Sequence, residues 1–120
     1  TAKKGWTQMK TKGAVPSPRY CAAIGIYKDT LYLFGGFDTN RLNTLHALDL
    51  SALILSWHIF SVLQDLAQPI LETGEWSLIP TSGAIPPPRS HHSMAVMGNK
   101  LLIFGGLSEG AKLLNDTYVK

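Results

Sequence analysis

Cysteine is nearly absent: Cys21 is the single one among 120 residues. No disulfide can form within the chain, and a reducing compartment, the cytoplasm with the nucleus as second choice, is the expectation. Long apolar runs are missing as well; none reaches the ~18 residues of a membrane-spanning helix. The first residues lack the basic-then-apolar order of a signal peptide. Charged residues are scarce at 16%. The chemistry-bearing patterns are missing too. There is no Gly-x-Ser-x-Gly elbow, no glycine loop followed by lysine, and no pair of carboxylates on a common element. His46, His58, His91 and His92 do not fall into zinc or iron spacing, and strand neighbours such as His91 and His92 point to opposite faces. No enzyme, cofactor or metal is expected. Asn115-Asp116-Thr117 matches a glycosylation acceptor, but it falls in a strand pattern and is discounted.

Glycine and proline, by contrast, are plentiful at 11 and 7. Frequent chain reversal excludes a helical bundle or coiled coil. The +3 net charge is unevenly placed: Lys3, Lys4, Lys10, Lys12 and Arg19 face no acid in the first 19 residues. A nucleic-acid platform would interleave aromatic residues with these cations. Trp6 alone is so placed, too little for such a platform, so the segment reads as a solvated leader without a nucleic-acid role.

An internal repeat organises the rest. A shift of 70 residues aligns 6–38 with 76–108 without a gap, and 11 of the 33 pairs are identical. Chance gives roughly two at average composition. The identities include Trp6/Trp76, Gly13/Gly83, Pro16/Pro86, Pro18/Pro88, Arg19/Arg89, Phe34/Phe104, Gly35/Gly105 and Gly36/Gly106. Each copy reads as a Trp-led strand, a Gly/Pro crossing ending in Arg, a second strand, a tight turn, and an apolar third strand closing on Gly-Gly. The second and third strands are expected at 20–27 and 30–36, and again at 90–97 and 100–106. Lys28-Asp29 and Gly98-Asn99 are the hairpin turns between them. Residues 43–50 and 115–120 supply a fourth strand, with 76–80 as the outer strand of the first unit. Four antiparallel strands per repeat, tied by Gly and Pro turns, are the grammar of a propeller blade.

Trp…Gly-x-x-Pro-x-Pro-Arg, Leu-Tyr-Leu-Phe-Gly-Gly and Asn-x-Leu-His-x-Leu-Asp-Leu together resemble the kelch repeat over residues 6–50 and 72–120. The lead-in is similar to kelch propellers of the host-cell-factor, Rab-effector and cell-polarity type, and less so to those that follow a BTB domain. The resemblance implies an all-β fold of two four-stranded antiparallel blades in an incomplete propeller. Residues 1–19 are then a basic leader plus the outer strand of a preceding blade (Trp6–Met9). Residues 20–80 form one blade, and 81–120 a linking turn and a partial second blade. Gly35, Gly36, Gly105 and Gly106 permit positive φ and close packing, and Trp6 and Trp76 offer area between blades. Arg19 and Arg89 either bridge loop carbonyls or line a ligand face.

Kelch repeats recur at ~50 residues. Removing residues 51–71 restores a period of 49 and joins Leu50 to Glu72 in Leu-Asp-Leu-Glu-Thr-Gly-Glu-Trp. The 21-residue insertion has 13 apolar residues and one charge, Asp65. Leu55, Ile59, Val62, Leu63, Leu66 and Ile70 follow helical spacing up to Pro69-Ile70. Three readings stay open: a docking helix, an extra spliced segment, or Trp57 as the blade's tryptophan with 58–75 as the surplus.

Flanks match between the copies while the loops after each Gly-Gly, residues 37–42 and 107–114, do not. Divergent loops on a recurring frame suit a binding scaffold. The expected function is a protein-interaction module, with Arg19, Phe37, Asp38, Asn40, Arg41, Arg89, Leu107, Ser108 and Glu109 facing a protein partner. The alternatives are part of a kelch enzyme resembling galactose oxidase, whose copper constellation this sequence does not display, or a truncated product without a function of its own. Two blades cannot close a ring of ~4–8, so further repeats in the same chain or self-association are expected.

Overall fold

A computed structural model describes residues 5, 6, 8–55 and 73–120, and all structural statements refer to these. Eight strands carry the fold: β1 Lys10–Gly13, β2 Ala23–Tyr27, β3 Thr30–Phe34, β4 Leu45–Asp49, β5 Thr73–Ile79, β6 Ser93–Met97, β7 Lys100–Leu107 and β8 Leu113–Val119. They form a five-stranded sheet in the order β1-β5-β4-β3-β2 and a three-stranded sheet, β6-β7-β8. All pairings are antiparallel except β1 with β5. Residues 51–55 are helical, at the start of the proposed insertion; residues 56–72, and with them Trp57 and the rest of that proposal, lie outside the described residues.

Both inner strands start three residues later than the alternation of apolar residues implies. The cause is local: Cys21 and His91 have φ of 55° and 59°, a left-handed conformation that no strand continues through. The hairpins fall where expected, with two-residue loops between Tyr27 and Thr30 and between Met97 and Lys100. Lys28 and Gly98 open these loops with φ of 55° and 60°.

The leading strand differs from expectation. Strand structure begins at Lys10 rather than Trp6, and β1 lies on the first sheet instead of starting a separate blade. The edge of β5 carries unpaired N–H and C=O groups, a template that any nearby extended segment satisfies. Lys10 to Gly13 pair there in register with Thr73 to Trp76, and Ala14 N–H donates to the Trp76 carbonyl at 3.0 Å. The sheets therefore have five and three strands where one, four and three are expected. Trp6 is fully exposed, against the expected packing between blades. Trp76 occupies β5, opposite Leu48 in β4.

The core lies between the sheets. Phe34 and Leu45 from the first meet Leu101 and Ile103 from the second, ringed by Tyr32, Ile79, Met94 and Val96. Each large apolar side chain so buried stabilises by roughly 1.5–3 kcal/mol. Gly25 lets the inner strands approach: a Cβ there would sit 2.9 Å from Met94 Sδ and 3.0 Å from Val96 Cγ2.

Which faces meet defines the architecture. Strand alternation puts Met94, Val96, Leu101 and Ile103 on the inward face of the second sheet. Their repeat counterparts Ile24, Ile26, Leu31 and Leu33 lie on the outward face of the first. Ile24 and Ile26 are accordingly exposed there, as Met97, Phe104 and Val119 are on the far side of the second sheet. Non-equivalent faces are in contact, so the stacking is head-to-tail and continues in principle at both ends. That is how propeller blades follow one another; a closed sandwich would put like faces together.

Candidate interaction face at the blade junction

The two Pro-x-Pro-Arg crossings end in arginines with matching tasks. Arg19 Nε donates to the Ser17 carbonyl at 3.1 Å and Nη1 to the Gly35 carbonyl at 3.1 Å. Arg89 Nε donates to the Pro87 carbonyl at 3.1 Å and Nη1 to the Gly105 carbonyl at 3.0 Å. Each guanidinium thus ties its crossing to the doubled glycine of its own sheet. Arg89 is wholly buried, and it also holds Asp116 through two hydrogen bonds, Nη1 to Oδ1 at 2.6 Å and Nη2 to Oδ2 at 3.0 Å. This donation keeps the Asp116 carboxyl below its usual range. Desolvation lowers the pKa of the half-buried Arg19, with Asp38 opposing.

The crossing of the second blade also clasps the first loop. Gly36 N–H donates to the Arg89 carbonyl at 2.9 Å, and Arg89 N–H to the Leu42 carbonyl at 3.0 Å. Residues 37–42 are thereby pinned at the junction of the sheets. Phe37 pairs with both Tyr20 and Arg41. The Tyr20 ring lies 5.4 Å from the Phe37 ring, and the Arg41 guanidinium 5.1 Å above it. Asp38 shapes the tip: its carboxylate accepts from the backbone N–H groups of Asn40 at 3.1 Å and of Thr39, and from Ser17 Oγ at 3.0 Å. Those bonds, Asn40 first, lower its pKa. Asn40 is exposed at the rim.

The second loop joins the same junction through Ser90. Ser90 and Leu107 exchange backbone hydrogen bonds of 3.0 and 2.8 Å, and Arg41 Nε donates to Ser90 Oγ at 3.2 Å. Ser108 N–H donates to the Lys112 carbonyl at 3.0 Å, which closes the loop and leaves Glu109 exposed. Phe37, Arg41 and Leu107 are therefore brought together. Arg19 and Asp38 share Ser17, Asn40 and Glu109 flank, and Arg89 lies beneath as a buried tie.

Sequence reasoning passed over Tyr20 and Ser90, and read the alignment of Cys21 with His91 as a tolerant strand position rather than a nucleophile. Tyr20 is 59% exposed. Cys21 Sγ lies 3.0 Å from His91 Nε2, and the other imidazole nitrogen 3.0 Å from Ser90 Oγ. The available signal was that Tyr20/Ser90 and Cys21/His91 differ between the copies, directly after an identical Pro-x-Pro-Arg frame. Buried beside this layer, His92 donates from Nε2 to the Phe34 carbonyl at 2.8 Å. Desolvation holds the pKa of His92 down, as it does for His46 on the opposite face of the first sheet. Among the described residues no group of three His, Cys, Asp or Glu side chains is arranged to hold a metal ion. Nor is any helix there long and apolar enough to cross a membrane.

Antiparallel sheets stacked head-to-tail through Gly-Gly-closed strands define a propeller-blade repeat protein. The family description "KLHDC2/KLHL20/DRC7 Kelch-repeats domain" matches residues 1–120, and the chain belongs to the kelch-repeat family. Host cell factor 2 of Homo sapiens is 40% identical over 108 residues, covering 85% of this chain and 11% of that protein. Leucine-zipper-like transcriptional regulator 1 of Homo sapiens is 33% identical over 114 residues, 94% of this chain and 11% of that protein. Kelch domain-containing protein 1 of Mus musculus is 35% identical over 105 residues, 81% of this chain and 25% of that protein. The chain thus spans between about a tenth and a quarter of these relatives.

Proposed function

We propose that the chain is a non-enzymatic protein-interaction scaffold that engages a protein partner through the junction face of Tyr20, Phe37, Arg41, Leu107 and Glu109. The observation that carries this reading is the stacked Tyr20–Phe37–Arg41 trio. Tyrosine and arginine are the residue types that dominate interface energetics, and they contribute most when a rigid frame holds them. Here the frame is the backbone clasp of Gly36, Leu42 and Arg89. Arg89 serves as structure and Arg19 as a loop tie. Function further requires additional blades, from the same longer protein or from another copy, to cover the open apolar faces. A reducing compartment, cytoplasm or nucleus, suits the free thiol.

Site-specific photo-crosslinking tests the reading. A photoreactive residue replacing Phe37 or Glu109 in the full-length protein is expected to yield protein adducts in cells, and one replacing Met97, on the far face, is not. Adducts from Met97 alone, or from none of the three, would refute this interaction face.

A further inference from the structure

Cys21 and His91 occupy the same place in the two repeats, and each has the left-handed backbone that non-glycine residues adopt at a cost. His91 N–H donates to the Cys21 carbonyl at 3.0 Å, which locks the two backbones together across the blade junction. The side chains meet as well, Sγ and Nε2 being 3.0 Å apart. The imidazole is held at its other end by Ser90 Oγ, 3.0 Å from Nδ1. Ser90 is wholly buried and fixed by its paired hydrogen bonds to Leu107 and by Arg41 Nε. A thiol, a base within reach of it, and a third group orienting that base make up the arrangement of an activated nucleophile. Cys21 is half-buried and His91 exposed, so a reagent reaches the sulfur from solvent.

We propose that Cys21 is a base-assisted nucleophilic thiol, a covalent modification site for soft carbon electrophiles of the α,β-unsaturated carbonyl class. In the step, the Sγ proton passes to His91 Nε2 and a sulfur lone pair forms a bond to the β-carbon. The π electrons of the C=C bond move to the enolate, and the imidazolium proton is then delivered to the α-carbon. A thioether results, the imidazole is regenerated, and no oxidant or reductant is consumed. Cys21 is the sole cysteine, so no second thiol within the chain can convert it into a disulfide.

N-ethylmaleimide is the probe, and intact mass reports the adduct at a single possible thiol. The native chain at pH 7 is expected to react about tenfold or more faster than the same chain in concentrated urea. That is a modest share of the ~10²–10⁴-fold that a positioned base contributes. His91→Gln is expected to bring the folded protein to the unfolded rate or below, and free imidazole in the buffer to restore part of it. A native rate equal to or below the unfolded rate overturns the proposal, and so does a folded His91→Gln protein that reacts as fast as the parent. The native-to-unfolded comparison needs no variant and decides the matter should His91→Gln fail to fold.

Discussion

Arg89 grips Asp116 with both arms of its guanidinium, and this is the one ion pair among the described residues. The first blade has the same arginine without the carboxylate. Phe34 pairs with Leu45 as Phe104 pairs with Thr117, so the position matching Asp116 is Thr44. Its Oγ1 is buried and lacks a hydrogen-bond partner. One unpartnered buried hydroxyl costs ~1–3 kcal/mol.

Thr44→Asp is therefore expected to give Arg19 the pair that Arg89 has, and to stabilise the protein by about 1 kcal/mol at pH 7. Paired beside Arg19, the new carboxyl has a folded-state pKa depressed below the ordinary ~3.9. The gain is then complete above that value and disappears as pH falls through the folded-state pKa. Denaturant midpoints of parent and variant at pH 7 and pH 3 check it. A variant less stable than the parent at pH 7 would mean that the two blades are not interchangeable at this position.

His92 and His46 set a second pH window. Burial lowers both values from the ordinary ~6.5, and nearby charge adds to it: Arg89 and His91 for His92, Arg19 for His46. Below about pH 6.5 the unfolded chain takes up protons that the folded chain resists, so stability declines as pH drops from 7.5 to 5.5. His92→Gln keeps a donor for the Phe34 carbonyl and removes one titrating group, and is expected to flatten that decline. Urea midpoints that do not move between pH 7.5 and 5.5 would contradict the account.

Gly35 and Gly83 both have left-handed backbones, with φ of 74° and 79°, but differ in their surroundings. A Cβ on Gly35 would lie 2.6 Å from His92 Cε1 and 2.9 Å from the Arg89 carbonyl, whereas Gly83 has nothing within 4 Å. Gly83→Ala is expected to cost about 1 kcal/mol, the backbone penalty alone. Gly35→Ala is expected to cost well beyond that, ~3 kcal/mol or enough to unfold the chain, because the Arg89 backbone cannot yield. Equal losses by thermal melting would remove close packing as the reason for the doubled glycine.

The open face of the first sheet makes the isolated chain adhesive. Ile24 and Ile26 are 56% and 57% exposed, and their counterparts in the second sheet are the ones that pack against the first. Ile24→Lys with Ile26→Lys is expected to shift the sedimentation profile of the 120-residue chain from associated species toward monomer. A parent that sediments as monomer at every concentration would show that this face awaits no further sheet.

Much of the fold was legible because two copies of one pattern check each other. Leu-Tyr-Leu-Phe-Gly-Gly and Leu-Leu-Ile-Phe-Gly-Gly placed β3 and β7, and the Lys28-Asp29 and Gly98-Asn99 turns fixed their pairing with β2 and β6. What escaped was long-range. Nothing in Lys-Thr-Lys-Gly announces a strand, since β1 exists only because β5 offers it an edge. The meeting of Cys21 with His91 was hidden for a related reason: alignment shows that two positions are equivalent, and only the stacking of blades shows that equivalent positions touch. At the proposed interaction face, divergence singled out Phe37, Arg41 and Leu107, while Arg89 was left between a bridge to loop carbonyls and a ligand-face residue; its burial comes from tertiary packing around Gly105 and Asp116, which no local pattern displays.

The short parallel strand has one more effect. β1 ends the first sheet with four exposed residues, two of them lysines, and then turns away at Gly13 with φ of 85°. Short, lysine-bearing margins discourage intermolecular β-pairing. The margin of β8 has seven residues, no lysine, and exposed Leu113 and Val119. Of the margins of β1 and β8, then, only that of β8 invites intermolecular pairing, and a single lysine placed at Thr117 or Val119 would be the economical way to close it.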